Sequence, residues 1–303
     1  MRIAAFEIAD DVPELHDTLA IVMVRPWVDV GRVGTLVLTK LERHLVAKEL
    51  GRLARPGNYL DFTRERPRTR IVEGRRVLTL PNSVVHYAPG GETGRDCMFL
   101  HLREPHMQGE DYSDAIAALL GHFNVTEYCR VGAMYDSVPH TRPLQVTATL
   151  SESQQELTRD LVSVRKNTYQ GPTSIVNLVN QSLDEKGVQS TSLMLHLPQY
   201  VQLDEDHMGA ARVMEILCAL YGFPISLADT ARGERQYEEI GRAVERNPAV
   251  AKLIKDLESE YDRQRASQAP GQESDQEEIS MPAEMEKFLS ELENGSQSGD
   301  EDK

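Results

Sequence analysis

The sequence lacks the features that announce most function classes. Its 303 residues hold three cysteines, Cys97, Cys129 and Cys218, too far apart for a C-x-x-C pair. Neither a disulfide framework nor a thiolate zinc site is suggested. Each lies in an apolar stretch, as expected of a buried thiol in a reducing cytoplasm. Long hydrophobic runs are missing too. Leu19 to Val24, the longest near the start, is far too short to span a bilayer. Asp10, Asp11 and Glu14 do not give the layout of a signal peptide, so a soluble cytoplasmic protein is expected. Basic charge is scarce: 33 Lys and Arg against 48 Asp and Glu leave −15. Such a balance argues against a nucleic-acid binder and against a polybasic membrane anchor. Motifs are scarce as well. The chain has no G-x-S-x-G, no G-x-x-x-x-G-K-[ST], no G-x-G-x-x-G and no H-E-x-x-H.

What is present is an ordinary globular composition, 40% hydrophobic and 27% charged, with an uneven distribution of charge. Residues 272–303 carry eleven acids and two lysines, or −9, which leaves −6 for the rest. Residues 1–265 read as one α/β domain. Residues 266–279 are polar and low in hydrophobics, as in a disordered linker. Beyond them Met281, Met285, Phe288, Leu289 and Leu292 fall on one face of a short amphipathic helix near 281–293, with Ser280 as its cap. No internal repeat is visible.

Within the domain, strands alternate with helices. Ala20-Ile-Val-Met-Val24, Cys97–Leu102, Glu127–Met134 and Ser190–Leu197 read as buried strands. Helical spacing covers Thr35–Leu45 with a stop expected near Gly51, then Tyr112–Phe123, Ser151–Lys166 and His207–Tyr221. Asp204-Glu-Asp206 caps the last of these and Gly222 stops it. Helices over 234–245 and from Pro248 are separated at Asn247. Arg70–Val72 and Arg76–Leu80 flank Glu73-Gly74 as a hairpin. This alternation predicts a mainly parallel sheet.

Three places are candidates for chemistry. Gly31 and Gly34, in a strand-to-helix turn, offer helix N-terminal amides to an anion, though such glycines also serve purely steric ends. Val138-Pro-His-Thr-Arg-Pro143 should lie at a strand's carboxyl edge, where open α/β sheets bind ligands. There His140 is a candidate acid/base, Arg142 an anion clamp and Thr141 their neighbour. Glu104 follows an adjacent strand and pairs with His140 only if the fold brings them together. The acidic run Asp204–Asp206 with His207 reads as helix capping rather than as a metal cluster.

Several of these segments carry a resemblance. Trp27-Val-Asp-Val-Gly-Arg-Val-Gly34, Glu104-Pro105, Gly132, Val138–Pro143, Tyr169-Gln-Gly-Pro172 and Leu195-His-Leu-Pro-Gln-Tyr200 resemble the proteasome assembly chaperone two family, in its actinobacterial-type branch. The resemblance covers about residues 18–263, and Glu284–Leu289 resembles the short helix that ends many bacterial members. It implies a three-layer α/β/α fold like that of phosphorylase/nucleoside-hydrolase domains. It also implies homo-oligomers, protein partners and no established catalytic activity. Gln199 stands where the family often has His. Two function classes follow. One is a non-catalytic binding or assembly protein without metal or other cofactor, its tail face engaging a partner groove. The other is a small-ligand binder or enzyme using Gly31, Gly34, Glu104, His140 and Arg142.

Overall fold

The computed structural model describes residues 1–90, 94–159, 161–162 and 173–267. In chain order its strands begin with β1 (Arg2–Ile3), β2 (Phe6–Ile8) and β3 (Thr18–Arg25). Helix α1 (Val33–His44), β4 (Lys48–Leu53), β5 (Arg68–Val72), β6 (Arg75–Thr79), β7 (Val84–Ala88) and β8 (Cys97–Arg103) follow. Then come α2 (Gly109–His122), β9 (Val125–Asp136), β10 (Val146–Thr149), α3 (Glu152–Leu157), α4 (Val176–Asp184) and β11 (Gln189–Pro198). The chain closes with α5 (His207–Tyr221), α6 (Ala231–Glu245) and α7 (Pro248–Ser267).

Nine strands form one sheet in the order β1-β2-β4-β7-β8-β3-β9-β11-β10. The central four, β8, β3, β9 and β11, are mutually parallel. With β1 and β4 they run one way; β2, β7 and β10 oppose them. The central strands are aliphatic and β-branched because helices cover both their faces. Alternation sorts their side chains. Leu19, Ile21, Met23, Phe99, Val131, Leu193 and Leu195 enter a core shared with α1 and α5. Ala20, Val22, Val24, Leu100 and Tyr128 enter another shared with α2 and α4. The result is three layers, α/β/α, as expected. A third, smaller core gathers Tyr200, Val244, Val250, Ile254 and Leu257 where α6 and α7 meet the segment after β11.

Asp206 caps α5 through Gly209 N–H at 2.7 Å, and Gly222 ends that helix with φ +73°. Asn247 caps α7 through Ala249 and Val250 N–H, as the Asn-Pro pair predicts. Two helices are shorter than their spacing suggests. The first stops at His44, because Val46 takes φ +53°, and Gly51 lies in β4 instead. Helix α3 stops at Leu157, where the Thr158 hydroxyl donates to Gln154 O. The predicted helix over 281–293, residues 268–279 of the linker and Tyr169–Pro172 lie outside the described residues, while Ala266 and Ser267, expected in the linker, continue α7. All three thiols are buried, and burial pushes Cys129 up to about 12 and Cys218 to about 11.

Candidate functional site

Between β3 and α1 the turn is built around a carboxylate that the sequence reading passed over. Asp29 is buried, and it accepts from Thr35 N–H at 3.0 Å and from the Thr35 hydroxyl at 2.5 Å. It therefore occupies the N-terminal end of α1, where the sequence offered an anion site. Desolvation raises its pKa, against the pull of the Thr35 bonds. A Cβ on Gly34 would lie 2.9 Å from Met23 Cβ and 3.1 Å from Asp29 Oδ1. Gly31 has φ +57°, and its Cβ would lie 2.8 Å from Asp206 Cβ. Both glycines meet close-approach demands at this junction.

Asp206 ties three elements together. Its N–H donates to Gly31 O at 2.8 Å, its Oδ1 caps α5, and its Oδ2 accepts from the Tyr237 hydroxyl of α6 at 2.9 Å. Desolvation raises its pKa, opposed by the Gly209 and Tyr237 bonds.

The string from His140 to Pro143 sits beside these helices. His140 is buried and packs edge-on to Tyr200 and Tyr237. Its backbone N–H donates to Tyr200 Oη at 2.7 Å, and its Nδ1 lies 2.8 Å from the same oxygen. The phenol has one proton left to give, so it donates to Nδ1 and the imidazole proton belongs on Nε2. Desolvation lowers the His140 pKa, against the carboxylate of Glu258. The fold thus binds fewer protons here than the unfolded chain below about pH 6.5. This stability is complete above that pH and declines as pH falls toward the folded value. A melting series from pH 7.5 to 5 should show it, at no more than about 1.4 kcal/mol per pH unit for one proton. His140→Gln should flatten that slope relative to the parent; equal slopes refute the assignment.

Thr141 and Arg142 point to α7. The Thr141 hydroxyl donates to Glu258 Oε1 at 2.5 Å. Arg142 forms a fork on Asp262, at 3.0 and 2.8 Å, and reaches Glu258 at 3.2 Å. Its pKa rises because of that fork, and the same contact lowers Asp262. The Tyr261 hydroxyl donates to Pro143 O at 2.8 Å. Arg142 is therefore already paired, bidentately, with a carboxylate of its own chain.

His140, Thr141 and Arg142 line a cavity of about 470 Å³, together with Met208, Arg212 and Tyr237. Glu104 and Gly31 are not on its lining. Glu104 accepts from the Ser174 hydroxyl and Ile175 N–H, both at 2.7 Å, at the start of α4. That is the layer of α2 and α4, whereas His140 faces α6 and α7 in the opposite layer. The fold thus brings His140, Thr141 and Arg142 together, sets Gly31 beside Asp206, and leaves Glu104 with α4. Sequence reasoning missed Asp29, Tyr200, Tyr237 and Glu258 as partners. Asp29 and Tyr200 had a signal, in the Trp27–Gly34 and Leu195–Tyr200 strings.

The other exposed feature is the β5–β6 ribbon. All ten strand residues are exposed, including Ile71 at 68% and Leu78 at 61%. Arg68, Arg70, Arg75 and Arg76 add four positive charges. Among the described residues no helix is long and apolar enough to cross a membrane.

A PAC2 family protein from Streptomyces avermitilis superposes with a TM-score of 0.69 at 23% identity, covering 78% of this chain and 100% of that one. A proteasome-assembly chaperone homologue from Mycobacterium tuberculosis gives 0.68 at 22% identity, covering 78% and 99%. PbaB of Pyrococcus furiosus, an archaeal proteasome activator, gives 0.59 at 18% identity, covering 79% and 98%. At these identities the likeness shows a shared fold. No protein with a curated description matches the sequence. The family model named PAC2 family matches residues 23–246, from the last residues of β3 to just past α6. The chain belongs to the PAC2 family.

Proposed function

We propose that this chain is a non-catalytic, assembly-type protein that acts as a homo-oligomer and binds other proteins. The observation that carries this reading is the β5–β6 ribbon. An isolated two-stranded hairpin is marginal in water, and this one presents Ile71, Val72, Val77 and Leu78 to solvent. Exposed apolar groups of this kind mark protein contact surfaces. The residues that offered chemistry support the same reading, because they are spent on internal ties. Arg142 is forked on Asp262, Glu104 holds the start of α4, and Asp29 fills the anion position at α1. The relatives with printed roles, a proteasome-assembly chaperone homologue and a proteasome activator, make a proteasome ring the first partner to test. The apolar face of Met281, Met285, Phe288, Leu289 and Leu292 is a second contact element, engaging the partner in trans. The protein works in the cytoplasm.

The test is light scattering and co-sedimentation with purified proteasome core particles from the same cells. Three forms are compared: the parent, Ile71→Asp/Leu78→Asp, and a chain ending at residue 271. The parent should be oligomeric and co-sediment. The ribbon variant should lose mass or partner by more than about tenfold in affinity, as hot-spot loss implies. A monomeric parent, or both properties unchanged in both variants, would sink the reading.

The cavity beside His140 favours a second reading, a small-ligand binder that uses His140, Arg212 and Tyr237 of its lining, Arg142 being held by Asp262. Nucleotides or small carboxylates that raise the melting temperature would support it, since a ligand of the native state must stabilise it.

A further inference from the structure

Three side chains from distant parts of the sequence converge at the edge of the α1/α5 core. Glu42 stands in the last turns of α1, His86 in β7 and His101 in β8. The β7–β8 register pairs Val84 with His101 and His86 with Phe99. The two histidines are thus diagonal neighbours on one face of the sheet. Phe99 and Ala88, on that same face, pack with Leu38 and Leu41 of α1. Helix α1 therefore crosses the face and lowers Glu42 onto the pair.

The geometry at the meeting point is tight. His101 Nε2 lies 2.7 Å from Glu42 Oε1, and His86 Nδ1 lies 3.0 Å from the same oxygen. The three atoms lie within 4.8 Å of one another. The imidazole planes are nearly perpendicular, at 87°, with centroids 5.7 Å apart. His86 Nδ1 is buried, and its nearest acidic neighbour is that same carboxylate oxygen, which therefore faces two imidazole nitrogens at once. The side chains keep 12–27% of their exposure, so solvent reaches them.

We propose that Glu42, His86 and His101 form a binding site for a divalent transition-metal ion of the zinc class. Two imidazoles and one carboxylate are a donor set that such ions take, with bonds of about 2.0–2.2 Å. Ligand atoms now 2.7 and 3.0 Å apart are at hydrogen-bonding separations, and they would move apart to about 3.4 Å to sit at tetrahedral angles on one ion with bonds of that length. Three protein ligands leave at least one position for water or an incoming donor. The nitrogen and oxygen mixture selects zinc, cobalt or nickel over magnesium, which prefers oxygens alone. No short motif marks the site, because its members lie 44 and 15 residues apart in the chain. It is independent of the assembly reading, since neither the ribbon nor the tail contributes to it.

The experiment uses the full chain, stripped with chelator and titrated with cobalt(II) and then zinc. Binding is followed by calorimetry and by the visible d–d bands of cobalt. The parent should take one ion per chain and show the intense bands of low-coordinate nitrogen/oxygen ligation, which zinc then bleaches. His86→Asn and His101→Gln, checked for folding by circular dichroism, should each weaken binding by more than about 100-fold, above the loss seen for outer-shell partners alone. The cobalt spectrum of the unsubstituted chain keeps the test valid if a variant fails to fold. No stoichiometric binding would overturn the proposal. So would weak all-oxygen bands, or affinity unchanged in the folded variants, which would place the ion on the acidic residues elsewhere.

Discussion

Asp206→Ala is expected to lower the unfolding free energy by about 2–3 kcal/mol, from loss of a helix cap and of the partner of a buried phenol. Two contacts disappear together: the 2.7 Å cap on Gly209 and the 2.9 Å bond from Tyr237. Removing a desolvated carboxylate returns part of that loss, which is why the figure is not larger. For a body of this size the melting temperature should fall by about 5–10 °C. Asp206→Asn keeps an oxygen for Gly209 and should cost about 1 kcal/mol. The two differ from the parent in pH response as well. Burial raises the folded-state pKa of Asp206 above its ordinary 3.8. Below 3.8 the acid is neutral in both states and its contribution to stability is complete. As pH rises through the folded value, ionisation favours the unfolded chain and the contribution declines. The parent should therefore gain on the Asn variant when melting is compared at pH 4 rather than pH 6. A gap that is constant with pH, or an Ala variant as stable as the parent, contradicts this role.

The second large effect is on the other face of the sheet. Tyr112 is fully buried, 5.3 Å centroid to centroid from Tyr59, and its hydroxyl shares a 2.6 Å bond with Ser83. Ser83 is itself fully buried and accepts from Arg103 N–H at 2.9 Å, so the phenol belongs to a short polar chain at the end of β8. Tyr112→Ala leaves a ring-sized cavity in the α2/α4 core and should cost about 3–5 kcal/mol, or about 10–15 °C in melting temperature. Tyr112→Phe retains the packing and loses one bond, at about 1 kcal/mol. Equal stability for the Phe and Ala variants would show that packing at this site is not what holds α2 down. Both variants leave the ribbon untouched, so the mass measured by light scattering at low temperature should stay as in the parent.

The central strands were legible from sequence because both their faces are buried. Residues 20–24 and 97–102 are short runs of mostly apolar residues, while 127–134 interrupts its run with Arg130 and 190–197 opens with Ser190-Thr-Ser192 before Leu193. Outer strands were not. Lys48-Glu-Leu-Gly-Arg-Leu53 carries three charges, since one of its faces meets solvent and its neighbours β2 and β7 supply only local cover. β1, β2 and β10 have two to four residues, too few for any periodicity. Helix ends with a cap or an αL stop, such as Asp206, Gly222 and Asn247, were read correctly because their signals are local. The Val46 stop was not, because a β-branched residue in αL announces nothing in sequence.

The same division holds for the site. His140, Thr141 and Arg142 could be picked out as a polar string after a strand. Their meaning could not, because it depends on Tyr200, Glu258 and Asp262, 60 to 120 residues away. Glu104 and His140 looked alike as loop residues at adjacent strand ends. Which layer each one serves is a property of the crossovers, and no spacing encodes it. Glu42, His86 and His101 are more hidden still, since a helix and two antiparallel strands must pack before they become neighbours.

The small core beneath α6 and α7 has a kinetic consequence. It meets the α1/α5 core through Leu203 and Ile240, and beyond it α7 is kept in place by the Thr141 and Arg142 side chains and the Pro143 carbonyl. A segment with so few buried contacts is a cooperative unit of low local stability, able to open while the sheet remains intact. Such an opening would take the Glu258 and Asp262 carboxylates away from Thr141 and Arg142, both on the cavity's lining, and leave the Arg142 guanidinium without its fork.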